Sequence, residues 1–298
     1  MSGQLKEVRE RIKSVKSTQQ ITKAMKMVSA AKLRKAQQAI TQMRPYANRL
    51  DLMLKNILSN LEGDADTSFG KAREVHSVAM VVVTSNKGLC GAFNSNVIKS
   101  AVAKIERNYK AIYEAGQLTI LPIGKKGYEY FKKNYPKANI IKDHVLLVTH
   151  LTFEAVEAAA LIVMDGFLDG TFDKVEASYG RFRNAAVQFP ETVQFLPVKK
   201  LEGSKKEDSR LKADYIFEPD KQLLLEHLIP SILKTTIHKF VLDTHASEHG
   251  ARMTAMDNAT ENAEELLKDL KISYNKARQE AITKELAEIV GGAAALEG

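Results

Sequence analysis

The strongest constraint on the fold is a pair of long helical stretches at the two ends of the chain. Residues 4–58 contain no glycine, and residues 221–289 contain only Gly250. Because glycine destabilises helix interiors, its scarcity over such lengths favours uninterrupted helices. At about 1.5 Å per residue, these stretches predict helices of roughly 80 and 100 Å. No single globular domain needs helices this long, so we expect both to project from one.

Apolar residues in both stretches recur at alternating spacings of three and four, the pattern of a coiled-coil seam. The two helices are separated in the chain by a whole domain, so they must pair antiparallel if that domain sits at one end of the rod. Pro45 lacks an N–H and predicts a local kink in the first helix. The predicted N-terminal seams are Leu5 to Val15, then Ile21, Met25 and Val28 after a phase slip, then Leu33 to Leu61. The predicted C-terminal seam runs from Met253 to Ala281 and then slips to Ile282, Leu286 and Ile289.

Residues 75–200 have the pattern of an α/β domain. The runs 77–85 and 118–124 are apolar and rich in β-branched residues, as expected of strands buried on both faces. Residues 174–182 and 193–198 alternate in polarity and predict a hairpin. Strands that alternate with helices along the chain predict a doubly wound, Rossmann-like domain.

Cap residues and polar runs predict the limits of the other elements. Asn94 or Ser95 is placed to cap a helical stretch that continues through Glu114. Thr152 is placed to cap an amphipathic helix that ends before Gly170. The polar run that follows the domain predicts a linker within residues 201–218.

Charge is distributed unevenly along the chain. Residues 1–60 carry 13 Lys or Arg against 3 Asp or Glu, a net charge of +10, and residues 219–298 carry 9 against 13, a net charge of −4. Three interpretations remain open: two solvated helices, helices that pair with each other, or a basic face that binds an acidic partner. The single cysteine excludes an internal disulfide, and no signal peptide or membrane-spanning run is visible, so we expect a soluble intracellular protein.

The stretch HASEHG contains H-x-x-E-H, the inverted zinc-peptidase motif, at His245, Glu248 and His249. On a helix the two imidazoles share a face, and a glutamate between them is able to activate water. Such peptidases need another carboxylate from a separate helix downstream. Only 49 residues follow His249, all within the same predicted rod. We therefore interpret the motif as a coincidence and predict no metal site.

A nucleotide site and a cysteine nucleophile are the other chemistries that the α/β pattern raises. Lys87, Gly88 and Gly91 follow the first predicted strand and are placed to approach a phosphate, yet neither phosphate-binding glycine motif occurs after either strand. Cys90 has no histidine near it in sequence, so a partly buried small residue is the better interpretation. The basic helix also allows a coiled-coil scaffold or a nucleic-acid-binding protein, although few aromatics interleave its lysines.

Motifs spread over the whole chain resemble the gamma subunit of F-type ATP synthases. The final motif carries the family pattern at Ile282, Thr283, Glu285, Glu288, Gly292, Ala293 and Ala295. One departure is Asn86, where that family usually has aspartate. The stretches that carry the resemblance are ITKAMKMVSAAKLRKA (21–36), SNKGLCGAFN (85–94), YIFEPD (215–220), SEHGARMTAMDNATENA (247–263) and ITKELAEIVGGAAAL (282–296).

The resemblance implies the central rotor of a bacterial, proton-translocating ATP synthase, with no cofactor and no catalytic site of its own. It implies an antiparallel coiled coil of residues 1–60 and 219–298 inside a hexamer of three alpha and three beta subunits. The base would bind epsilon and the membrane c-ring at the cytoplasmic face of the plasma membrane, without nucleic acid or lipid insertion. The implied contacts with the catalytic subunits are Lys23, Met25, Lys87, Arg252 and Ile289, and the implied foot is Tyr215, Phe217 and Glu218.

Overall fold

The computed structural model describes residues 3–59, 68–198 and 221–297. Along the chain, one long helix precedes an α/β region and a second long helix follows it. The elements are α1 (Gly3–Ser59), β1 (Val78–Val83), α2 (Phe93–Asn108), α3 (Lys110–Glu114), β2 (Leu118–Ile123), α4 (Lys125–Asn134), β3 (Asn139–Ile140), α5 (Phe153–Leu168), β4 (Lys174–Phe182), β5 (Gln188–Leu196) and α6 (Lys221–Glu297). The predicted linker and foot, residues 201–218, lie entirely outside the described residues.

The terminal helices have the predicted length. Helix α1 contains 57 residues and α6 contains 77. Pro45 and Pro230 both lie inside these helices and do not end them. Among the described residues, no helix combines the length and apolar character that crossing a bilayer requires.

The sheet has five strands in the order β3-β2-β1-β4-β5. Strand β1 pairs in parallel with β2 on one side and with β4 on the other. Strand β5 pairs antiparallel with β4, which confirms the predicted hairpin. The strand order reverses direction between β1 and β4, so this is a doubly wound arrangement with its switch point there.

Both faces of the sheet are covered, and alternate residues of β1 point into separate cores. Ala79, Val81 and Val83 pack with α5 and with the segment of α6 from Ile229 to Val241. Val78, Met80 and Val82 pack on the other face with α2 and α4. A strand with apolar neighbours on both faces needs a continuous apolar run, which explains why β1 reads VAMVVV.

Local details of the α/β region correct three predictions. Helix α2 begins at Phe93 after Ala92, which makes no side-chain cap bond, so neither Asn94 nor Ser95 is the cap. The helical stretch is broken at Tyr109 before α3. Strand β5 begins five residues earlier than predicted, at Gln188. Thr152 does cap α5, because its hydroxyl accepts a hydrogen bond from the Ala155 N–H at 3.3 Å.

Contacts divide the chain into two compact units. We call residues 3–29 with 252–297 the two-helix unit, and residues 30–251 the sheet unit. Each unit is described separately below.

The predicted phase slip in the two-helix unit is wrong. The inward positions of α1 continue from Val15 with unbroken spacings of four and three through Gln19, Thr22, Lys26 and Ser29. Thr22 and Ser29 are buried, whereas Ile21 and Val28 are each 57% exposed. The seam therefore stays in phase by using polar residues, and its apolar neighbours face outward.

Candidate functional site

Three side-chain contacts join α1 to α6 within the two-helix unit. The Thr22 and Thr260 hydroxyl oxygens lie 2.8 Å apart, and Lys26 forms an ion pair with Asp257. Nearer the start of α1, the Arg9 guanidinium donates to the Tyr274 hydroxyl at 3.4 Å. As numbers rise along α1, the partners fall along α6, so the helices are antiparallel as predicted.

A groove beside these contacts holds one predicted contact residue, Lys23. The groove has a volume of about 420 Å³ and combines cationic, anionic and amide side chains. Its lining residues are Gln19, Gln20, Lys23, Lys26, Met27, Asp257, Thr260 and Glu264. Lys23 and Met27 are exposed, so the groove offers both a charge and an apolar surface to a partner.

Helix α6 extends past the start of α1. The Arg9–Tyr274 contact places the first turn of α1 opposite residues near 280, and every described residue from Ile282 to Ala293 is exposed. Ile282, Leu286 and Ile289 are 50%, 57% and 68% exposed and lie three and four residues apart. A single helix with this spacing presents an apolar stripe on one face. The predicted slip of the seam to these residues is therefore wrong, because α1 does not reach them.

The sheet unit has the switch-point crevice where doubly wound folds bind nucleotides, at the carboxyl ends of β1 and β4. In such sites the first helix presents its N-terminus to a phosphate. Here the ring of Phe93, the first residue of α2, packs against Gly180 of β4. The Thr244 hydroxyl of α6 accepts from the Gly180 N–H at 3.1 Å, and the Ser247 hydroxyl donates to the Gly180 carbonyl at 3.0 Å. The chain's own helix and aromatic ring thus fill the crevice.

The turn after β1 is organised by side-chain amides. The Asn94 Oδ1 accepts from the Ser85 N–H at 2.9 Å, and its Nδ2 lies 3.2 Å from the Cys90 sulfur. Asn86 accepts from the Lys125 N–H at 3.0 Å and donates to the Thr149 hydroxyl at 2.9 Å. Cys90 is buried more completely than the sequence interpretation expected. Asn86, which departs from the family's aspartate, therefore connects the turn after β1 to the first residue of α4 and to the short 3-10 turn at Leu147–Thr149 by hydrogen bonds.

The histidines of the H-x-x-E-H motif contact each other. The Nε2 atoms of His245 and His249 lie 3.2 Å apart, and the rings meet edge to face. Among residues 3–59, 68–198 and 221–297, no cluster of three or more His, Cys, Asp or Glu is placed to hold a metal ion. The zinc hypothesis therefore has no support from the geometry.

Burial shifts the pKa of two groups beside the α6 contact with the sheet. Desolvation raises the pKa of Asp243 to about 6, against the attraction of Lys239, Arg44 and Arg181. Burial also raises the pKa of the Tyr179 phenol, whose hydroxyl donates to Glu191 at 3.1 Å. The Tyr179 ring stacks on Phe240 of α6, with ring centroids 4.2 Å apart.

The predicted contact residues differ in their exposure. Lys23, Lys87 and Ile289 are exposed, Met25 is half-buried and Arg252 is buried. Lys87 belongs to the sheet unit, and the other four belong to the two-helix unit. The structure adds Gly180, Thr244 and Ser247, which sequence reasoning missed. A glycine inside a predicted strand was the available indication of close backbone approach.

Taken together, these features define a protein that combines an antiparallel two-helix coiled coil, with polar residues in its seam, and a doubly wound α/β unit. The family described as ATP synthase matches residues 4–296. The chain is 51% identical over 292 residues to the ATP synthase gamma chain of Cytophaga hutchinsonii, covering 98% of each chain. It is 51% identical over 294 residues to that of Flavobacterium johnsoniae, covering 99% of each. The chain belongs to the ATP synthase gamma chain family.

Solved structures of stalk assemblies share the fold. A chain of the Euglena gracilis mitochondrial ATP synthase, OSCP/F1/c-ring, aligns with a TM-score of 0.66 at 23% identity, over 99% of this chain and 95% of that one. A chain of the Tetrahymena thermophila mitochondrial ATP synthase central stalk/c-ring aligns with a TM-score of 0.57 at 23% identity, over 80% and 99%. The predicted coiled coil with a Rossmann-like domain is confirmed.

Family membership decides between the functions considered. The chain is the rotor subunit of an ATP synthase, which couples ion flow to ATP synthesis, and it is a non-catalytic subunit. The alternatives, a coiled-coil scaffold or a nucleic-acid-binding protein, find no support in these comparisons.

Proposed function

We propose that this rotor has no catalytic site of its own and acts by presenting unlike faces to the subunits around it. The observation that carries this proposal is the asymmetry of the two-helix unit. Residues 3–29 of α1 carry 7 basic and 2 acidic residues, a net charge of +5. Residues 252–297 of α6 carry 6 basic and 9 acidic residues, a net charge of −3. Rotation changes a neighbour's nucleotide affinity only if its contacts differ between orientations, and a shaft of unlike faces supplies that difference.

The surrounding assembly in this proposal consists of three alpha and three beta subunits, with epsilon and the membrane c-ring at the base. The aligned Euglena gracilis and Tetrahymena thermophila chains come from assemblies that contain F1, a rotor or a c-ring, which supports such a setting by analogy. For a bacterial enzyme this places the chain at the cytoplasmic face of the plasma membrane, as a peripheral component. No lipid insertion and no nucleic acid enter the proposal.

Two kinds of surface meet the catalytic subunits in this proposal. Lys23, beside Met25 in the groove region, attracts acidic loops by charge. Ile289 lies on the apolar stripe of the α6 overhang and contacts an apolar sleeve. Lys87 in the turn after β1 is a further exposed cation. Arg252 is buried, so its contribution to these contacts acts through the packing of α6 rather than through an exposed guanidinium.

Replacing Lys23 by Glu in the assembled enzyme tests the first surface. Lys23 is exposed, and a substitution at such a site changes the free energy of unfolding by less than about 0.5 kcal/mol. We expect fewer ions pumped per ATP hydrolysed, because the reversed charge repels the acidic loops. Pumping and hydrolysis measured on the same vesicles give this ratio.

The matched control is Lys16→Glu, which makes the same charge change at an exposed position of α1 outside the groove. A ratio lowered equally by both variants would show that total charge matters rather than the groove. The assignment of Lys23 as a contact residue would be contradicted by a Lys23→Glu protein that unfolds in isolation and yet pumps normally in the assembled enzyme.

The base contact in this proposal is the foot of Tyr215, Phe217 and Glu218. These residues lie outside the described part of the chain. The spacing of Tyr215 and Phe217 predicts that both rings share one side if the segment is extended. We expect Phe217→Ser to weaken attachment to the membrane sector while ATP hydrolysis by the soluble part persists. Release of hydrolytic activity from washed membranes measures this. Normal attachment together with a lowered melting temperature would place Phe217 in the core of the sheet unit instead.

A further inference from the structure

One residue of the sheet, Gly180, is hydrogen-bonded to helix α6 through both of its backbone groups. The pairing of β4 with β1 ends at Ser178, but β4 continues to Phe182. On the other side, Gly180 lies opposite Pro190 of β5, but the N–H and carbonyl of one strand residue point to the same side, and those of Gly180 face α6 rather than β5. Thr244 and Ser247 of α6 bond to the N–H and carbonyl of Gly180 at 3.1 and 3.0 Å. The helix thus replaces a neighbouring strand where the sheet edge would be left unpaired.

These two hydroxyls lie three residues apart, so they share one face of α6. Thr244 is 1% exposed, and Ser247 is fully buried. Water does not compete for such bonds, and breaking them leaves buried backbone groups without partners. The contact is therefore a directional link between helix and sheet, not a surface feature.

Two glycines make room in this region, Gly180 for the Phe93 ring of α2 and Gly250 for the approach of α6. A Cβ on Gly180 would lie 2.5 Å from the Phe93 ring and 3.4 Å from the Ser247 side chain. A Cβ on Gly250 would lie 3.1 Å from the Ala185 carbonyl oxygen in the β4–β5 turn. Gly250 is the single glycine between residues 221 and 289. It occurs where α6 passes close to the backbone of the β4–β5 turn. The helix tolerates a destabilising residue there because the approach requires it.

Apolar packing alone would hold α6 less specifically. Ile237, Phe240 and Val241 of α6 pack in the core under the sheet. Such contacts are non-directional and roughly proportional to the area buried, so a small slide or roll of the helix changes them little. Hydrogen bonds weaken steeply with distance and angle, so the same movement breaks them.

We propose that Thr244 and Ser247, bonded to Gly180, are positioning residues that lock the sheet to residues 221–251 of α6 against sliding and rolling when the rotor carries torque. We call this arrangement the hydroxyl lock. It occupies the crevice in which doubly wound folds bind nucleotides. In this chain the crevice holds a contact between helix and sheet. The inference rests on the rotor function and adds to it the residues that transmit load from the sheet into helix α6.

The experiment uses the assembled enzyme in vesicles and the double variant Thr244→Val with Ser247→Ala, which removes both hydroxyls at nearly constant volume. The matched control is Thr235→Val on the same helix. Thr235 is also buried, but its hydroxyl donates to the Ser231 carbonyl within α6. Ions pumped per ATP hydrolysed are measured with no opposing gradient and against a rising one.

We expect the double variant to hydrolyse ATP and to pump normally without a gradient, and to lose pumping per ATP progressively as the gradient rises. The control keeps the wild-type ratio of ions pumped per ATP throughout. The single variant Thr244→Ser, which retains a hydroxyl at both positions, keeps this ratio as well. Hydrogen exchange at the Gly180 amide should accelerate about tenfold in Thr244→Val, the effect of losing one hydrogen bond of ordinary strength.

A wild-type ratio at every gradient in the double variant would overturn the hydroxyl lock. An equal loss in Thr235→Val would also overturn it, because general helix destabilisation would then explain the effect. If the double variant does not assemble, Ser247→Ala alone is measured in the same way, and the same two outcomes decide. Failure of the rotor function itself is distinguishable, because the wild-type enzyme would then not pump.

Discussion

The two units of this protein are stabilised in different ways. In the sheet unit, β1 and β2 are buried along their whole length, and even the carboxylate of Glu176 is fully buried. In the two-helix unit, the seam places Thr22, Ser29 and the half-exposed Lys26–Asp257 pair where a strong coiled coil would place Leu or Ile. The comparison indicates that the sheet unit is a rigid body and that the two-helix unit keeps its pairing with little buried area per turn.

A pair of matched truncations gives the largest expected contrast. Leu121 of β2 is 1% exposed, and Leu270 of α6 is 8% exposed. We expect Leu121→Ala to lower the free energy of unfolding by about 4 kcal/mol and Leu270→Ala by about 2 kcal/mol. A rigid sheet retains the cavity, whereas a two-helix seam closes around it. Denaturant titrations of both variants measure the difference. Equal losses in the free energy of unfolding would show that the two units are not stabilised in different ways.

The buried acid beside the α6–sheet contact predicts a pH dependence that belongs to the sheet unit. The pKa of Asp243 is about 6 in the folded chain against an ordinary 3.8. The folded state therefore binds the proton more tightly, and this group's contribution to stability is lost as pH rises from about 4 to about 6. The loss is at most about 3 kcal/mol.

Asp243→Asn removes this titration. We expect the stability of the variant relative to wild type to increase between pH 4 and pH 7 and to stay constant above. Thermal unfolding of both proteins across this range provides the measurement. A difference that does not vary with pH would mean that Asp243 is solvated in the folded protein.

The smallest effect concerns two ion pairs, one from each unit. The Lys26 and Asp257 side chains are 40% and 42% exposed, and those of Lys234 and Glu157 are 24% and 31% exposed, with the latter pair 2.6 Å apart. Double-mutant cycles should give a coupling below about 0.5 kcal/mol for the first pair and nearer about 1 kcal/mol for the second. Added salt should weaken the first pair more, because exposed charges are screened more effectively. If the coupling energy of Lys26–Asp257 exceeded that of Lys234–Glu157, this ion pair rather than burial would be the main contribution to the stability of the two-helix unit.

Sequence patterns predicted the elements well where one interaction dominates. The continuous apolar run of β1 and the hydroxyl of Thr152 each determine a local structure, and both predictions were confirmed. The antiparallel helices followed from chain order and apolar spacing. Among the contact residues that the resemblance implies, Lys23, Lys87 and Ile289 are exposed, Met25 is half-buried and Arg252 is buried.

Predictions failed where a side chain had two possible partners. Asn94 was expected to cap α2, but its amide bonds to Ser85 and approaches Cys90 instead. Ile21 and Val28 were expected in the seam because they are apolar, yet polar Thr22 and Ser29 occupy it. An isolated segment does not reveal which of these partners the rest of the fold supplies.

The sequence by itself determined the long helices, the buried strands and the family to which the chain belongs, because each rests on local periodicity or on contiguous motifs. The tertiary structure alone decided the phase of the polar seam, the mutual contact of His245 and His249, and the closure of the crevice by Thr244, Ser247 and Gly180. These depend on residues distant in the chain, or on competition between neighbours for the same space. Hydrogen bonds between distant backbone and side-chain groups leave no periodic trace, so only the assembled fold shows them.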